Sequence, residues 1–97
     1  MSRYTSKMMV ALALGTVAGL STSAQASPTC TKEPKAKWIS EAEMKDRIGK
    51  MGYQNIRVFK TTSGGCYEIY GFNKEGKKVE VYFNPLSGTI VEEHVQS

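Results

Sequence analysis

The chain is poor in the side chains that carry most chemistry: it has one histidine, His94, two cysteines, Cys30 and Cys66, and one tryptophan, Trp38. A structural zinc site takes about four His or Cys ligands at short spacing, so this supply excludes the common ones. There is no Cys-x-x-Cys pair, which removes thioredoxin-type redox chemistry. No glycine-rich loop opens a helix: Gly64-Gly65 precedes a strand-like run and offers no phosphate cradle. Long apolar runs are missing too. The longest apolar stretch, Met8 to Leu20, is about 13 residues, short of the roughly 20 that span a bilayer as a helix.

What that stretch does have is the anatomy of an export signal. Arg3 and Lys7 supply a positive start, the apolar run follows, and Ala24-Gln25-Ala26 gives the small-x-small pattern cut by a signal peptidase. The expected organisation is a cleavable signal over residues 1–26 and one small domain over residues 27–97, with Ala24, Ala26 and Ser27 at the cut. The expected compartment is the periplasm, or the exterior if the host has no outer membrane. Removing Arg3 and Lys7 lowers the net charge from +4 to +2. That is too mild for a dedicated nucleic-acid binder, and cleavage leaves no membrane segment.

Both cysteines survive the cut. Two cysteines in a small exported domain read as one structural disulfide, Cys30–Cys66. Metal ligation would need partners that are absent, and a lipid anchor on Cys30 would need small apolar residues where Ser27-Pro28-Thr29 stands.

Ser27 to Lys37, with Pro28 and Pro34, reads as an extended lead-in. Ser40-Glu41-Ala42-Glu43 is a capping box, with Ile39 and Met44 placed as a hydrophobic staple. Met44, Ile48 and Met51 then form one apolar stripe at helical spacing, and Gly52 is a left-handed stop. After Gly52 the period becomes two. Strands are expected over Tyr53 to Lys60, Cys66 to Phe72, Lys78 to Phe83 and Thr89 to Glu92. Turns are expected at Thr61–Gly65, Asn73–Gly76 and Asn84–Gly88, with residues from His94 onward frayed. The fold class is therefore α+β: one amphipathic helix packed on an antiparallel sheet of about four strands, joined sequentially.

The faces of Cys66 to Phe72 are both partly apolar. Either the strand is covered on both sides, with the Cys30 segment laid over it by the disulfide, or one face shows aromatics to solvent. The second reading makes Tyr70, Phe72 and Tyr82 a candidate partner surface, since exposed aromatic patches mark binding sites.

Several pieces in order resemble the PepSY domain. They are Trp38-Ile39-Ser40 before the helix, Gly52-Tyr53 at its end, Gly65-Cys66-Tyr67-Glu68-Ile69-Tyr70, Gly76 to Tyr82, and Asn84-Pro85-Leu86-Ser87-Gly88-Thr89-Ile90-Val91. The chain is similar to the small stand-alone exported members, with Asn84 where aspartate is common. The resemblance implies a helix on an antiparallel sheet and a non-catalytic module. PepSY domains occur in propeptides of secreted metallopeptidases, and a role in restraining peptidases has been proposed for them. The implied partner is an exported protein or peptide, such as a peptidase. Other members sit in membrane proteins tied to iron or electron transfer, so an accessory to a haem, electron-transfer or metal system is the alternative.

No catalytic residue, cofactor or metal ligand is assigned. Glu92-Glu93-His94 looks like a metal cluster, but neighbours on a strand point to opposite faces. Glu68 and Glu80 can meet across strands as a carboxylate pair, with pairing to lysines or solvation as the ordinary outcome. Met44 and Met51 lie on the helix stripe and read as core.

Overall fold

A computed structural model describes residues 27–96; the expected export signal, with Ala24 and Ala26, lies outside them. The helix α1 spans Glu41–Lys50 and the strands are β1 (Gln54–Thr61), β2 (Tyr67–Phe72), β3 (Lys78–Phe83) and β4 (Ile90–Val95). They form one antiparallel sheet in the order β1-β2-β3-β4. This is the α+β architecture expected.

The helix starts where its cap is. Ser40 Oγ accepts from the Glu43 amide at 3.1 Å. Glu43 does not complete a reciprocal box; its carboxylate turns to Arg47 (Nη2 at 2.7 Å), one turn on. Met44 and Ile48 are buried and Met51 is half-buried, so the stripe faces the sheet as its spacing required. Gly52, at φ 102°, follows the helix end.

The core lies between α1 and one face of the sheet. Met44 and Ile48 meet Tyr67, Ile69, Val79, Val81 and Phe83, with Trp38, Ile39, Tyr53 and Phe59 closing the rim. Alternation on β3 sends Val79, Val81 and Phe83 to the helix side.

Two strands depart from the simple alternation. In β1 the register shifts between Gln54 and Val58, and Asn55 takes a left-handed conformation at φ 52°. That bulge leaves Ile56 and Val58 each 39% exposed and puts Phe59 opposite Ile69 in the core. Gly71 permits the bulge: a Cβ there would come 2.8 Å from Ile56 Cδ1 and 3.2 Å from the Gln54 carbonyl. The last strand runs on to Val95, beyond the Glu92 expected. His94 and Val95 are not frayed but pair with Glu80 and Val79, and the Gln96 amide bonds the Lys78 carbonyl at 2.8 Å.

Residues 27–31 form a strap across the second face of the sheet. The Cys30–Cys66 disulfide fixes it, and the Cys30 amide donates to the Gly64 carbonyl at 2.9 Å. Gly65, at φ 80°, lets the strap approach: any Cβ there would collide with the Thr31 carbonyl. Asn84 Nδ2 reaches the Cys30 carbonyl at 3.5 Å, a contact an aspartate has no hydrogen to make.

Candidate recognition surface

The sheet face opposite the helix is built by alternation. From the register it holds Val58 and Lys60 of β1, Glu68, Tyr70 and Phe72 of β2, Lys78, Glu80 and Tyr82 of β3, and Glu92 and His94 of β4. The strap divides it. At the covered end Cys66, Glu68 and Tyr82 are buried, and Ser27 Oγ stands 3.4 Å from the Tyr82 hydroxyl. At the other end Tyr70 is 37% exposed and Phe72 is half-buried.

Of the three aromatics expected to form one surface, the structure leaves Tyr70 exposed and Phe72 half-buried on the uncovered end. It places Tyr82 under the strap, with 7% of its surface exposed. The disulfide thus accounts for part of the aromatic face and leaves the rest uncovered.

The uncovered end carries three cations that the sequence reading did not single out. Lys60 Nζ lies 5.7 Å from the centre of the Tyr70 ring, and the Arg57 guanidinium lies 5.6 Å from that of Phe72. Lys78 stands opposite Phe72 on the neighbouring strand. Arg57, Tyr70, Phe72, Lys78 and Gln96 line a hollow of about 200 Å³, smaller than the roughly 300 Å³ and upward typical of small-molecule sites. Alternation on β3 contained the signal for Lys78. Arg57 was hidden by the bulge.

Glu68, buried at the covered end, and the half-buried Glu80 form a carboxyl pair. Burial pushes the Glu68 carboxyl above its ordinary range, and its hydrogen bond with Glu80 adds to this, although Lys60 Nζ is 3.8 Å away. Glu80 moves the opposite way. The hydrogen bond from Glu68 holds it ionised, and Tyr82 and Tyr70 donate to its Oε2 at 2.8 and 3.0 Å. The two carboxyls are therefore pushed apart: a proton is held more tightly on Glu68 and less tightly on Glu80. Tyr82 is pushed up to about 12, chiefly by burial. Tyr70 is raised as well, chiefly because its hydroxyl donates to Glu80.

This arrangement sets a pH dependence. Glu68, held protonated, stabilises the fold below the ordinary carboxylate pKa, and that contribution is lost as pH rises through its raised folded value. Glu80, held ionised, stabilises the fold above the ordinary range, and loses that contribution as pH falls through its depressed value. Stability should peak in mild acid and fall on both sides. Glu68→Gln keeps the neutral partner at every pH. It should melt a few degrees above wild type at pH 7 and lose that advantage near pH 4, around the ordinary glutamate value. Melting curves across the range check this; a variant less stable than wild type at neutral pH would refute the raised Glu68 carboxyl.

Among the described residues no helix is long and apolar enough to cross a membrane, and no three His, Cys, Asp or Glu side chains gather as for a metal ion. Glu92 pairs instead with His94, 3.1 Å away, and Glu93 Oε2 accepts from the Tyr53 hydroxyl at 2.8 Å.

No curated protein and no solved structure matches the chain. A family model described as peptidase propeptide and YPEB domain, PepSY_2, matches residues 8–94, from within the expected export signal to the last strand. Taken with a helix laid on a sequential antiparallel sheet, that match shows that the chain belongs to the PepSY_2 family of peptidase propeptide and YPEB domains.

Proposed function

We propose that the chain is an exported, non-catalytic module that binds a peptidase of its own compartment, the periplasm in a host with two membranes, and restrains it. The partner docks on the uncovered end of the sheet face, around Tyr70 and Phe72. One observation carries this reading: the strap shuts half of an aromatic face and leaves the other half open, with Arg57, Lys60 and Lys78 around it. Aromatic and arginine side chains at the centre of a patch supply most binding energy in protein interfaces. The family's description, which names a peptidase propeptide, supports the choice of partner. The one buried acid that could move a proton, Glu68, is 3% exposed and out of reach of a substrate, which supports a role without chemistry.

The test is capture from the exported fraction of the host on the immobilised mature chain, beside a Tyr70→Ala/Phe72→Ala variant. A peptidase should be held by the first and lost by the second, since truncating two central aromatics removes about 2–4 kcal/mol of binding. Capture of no peptidase, or equal capture by both, would refute the reading.

A further inference from the structure

The sheet has two free edges, and they differ in charge. Along β1 stand Arg57 and Lys60, with Lys45 of α1 beside them, its Nζ 5.1 Å from the centre of the Phe59 ring. Along β4 stand Glu92 and Glu93. Among the described residues, five of the seven exposed large apolar side chains also lie on these strands: Ile56 and Val58 on β1, and Ile90, Val91 and Val95 on β4. Neither edge has a partner strand among the described residues.

We propose that these edges are complementary, and that β4 of one copy of the chain adds to β1 of the next. Strand parity permits it. With four antiparallel strands, β1 and β4 run in opposite directions. A copy shifted along the sheet therefore brings its β4 antiparallel to β1, with both helices on the same face. The faces then match. On the helix side, Glu93 and Val95, which share a face with Val81 and Val79, meet Lys45 and the groove lined by Ile48, Ile56, Phe59 and Ile69. On the open side, Glu92, which shares a face with Tyr82, meets Lys60 and Val58, with Arg57 at the bulge. A sheet repeat of four strands is about 19 Å, wider than a helix of about 10–12 Å, so neighbouring helices do not collide.

The alternative pairings are opposed. β1 on β1 sets cations against cations, and β4 on β4 sets carboxylates against carboxylates; like charges facing across strands destabilise. The mixed contact is heterologous, so it propagates and does not stop at a symmetric dimer. The regular part of β1, from Val58 to Thr61, is short, so the contact is weak and salt-sensitive.

Sedimentation equilibrium on the purified mature chain tests this. The weight-average mass should rise twofold or more between about 10 μM and about 1 mM at low salt, and return to the monomer near 1 M salt, where charges are screened within about 3 Å. Two variants reverse one edge each: Lys45→Glu/Arg57→Glu and Glu92→Lys/Glu93→Lys. Lys60 is left in place because its ammonium faces Glu68. Each variant alone should stay monomeric, and an equimolar mixture should assemble again, because the reversed edges complement one another. Melting curves confirm folding, and Glu92→Lys alone, which spares the Tyr53–Glu93 bond, serves if the double variant unfolds. A wild type that stays monomeric to about 1 mM, variants that assemble as wild type does, or a mixture that fails to assemble would each overturn the proposal.

Discussion

Loss of the Cys30–Cys66 disulfide, by reduction or by Cys30→Ala/Cys66→Ala, should destabilise the domain by about 4 kcal/mol. The two residues are 36 apart in sequence, and closing a loop of that length restricts the unfolded chain by about this amount. A domain of this size has a total stability of only about 5 kcal/mol, so the reduced protein should sit near the edge of unfolding. The melting temperature should fall by something on the order of 15–30 °C. The loss has a local face as well. The strap would lift from Gly64 and Gly65 and expose Glu68 and Tyr82, so the pH dependence set by the carboxyl pair should flatten in the reduced protein. Scanning calorimetry with and without reductant measures both effects. A melting temperature that barely moves would mean that the strap holds without its bond.

Tyr67→Ala should cost a similar amount, about 3–5 kcal/mol for truncating a large buried aromatic. Tyr67 is 2% exposed and sits where three regions meet. Its ring packs edge-on against Trp38, with centroids 5.2 Å apart, and against Phe59 at 5.0 Å. Its hydroxyl donates to the Ile39 carbonyl at 2.6 Å, which ties β2 to the segment that enters the helix. Tyr67→Phe keeps the ring and loses that bond, so it should cost only about 1–2 kcal/mol, the price of one unsatisfied buried carbonyl. Denaturant melts of both variants, followed by the fluorescence of the single tryptophan, separate packing from hydrogen bonding. Equal losses in the two would place the energy in the hydroxyl and contradict the packing account.

The parts of the fold legible in the sequence were those set by local chemistry. Ser40 and the Met44–Ile48 stripe specified the helix and its buried face, and Val79, Val81 and Phe83 specified the inner face of β3. The disulfide was legible from cysteine number and the expected export signal. Long-range geometry was not. The β1 bulge depends on Gly71 of the next strand leaving space for Ile56, so strict alternation there misled. The length of β4 depends on partners that Lys78, Val79 and Glu80 supply across the sheet. The fate of the aromatic face was divided in the same way. Tyr70 is exposed and Phe72 half-buried, while Tyr82 is covered because the path of residues 27–31 follows from a bond made 36 residues away. The cations at the open end belong to three separate strand positions, and only the register gathers them.

The most direct test of the functional account is an inhibition titration. Residues 27–97 are added to any peptidase held in the capture experiment, and hydrolysis of a peptide substrate is followed. The account predicts a saturable loss of hydrolysis with the chain left intact, and weak inhibition by Tyr70→Ala/Phe72→Ala at an unchanged melting temperature. Undiminished hydrolysis, cleavage of the chain as an ordinary substrate, or equal inhibition by the variant would contradict it.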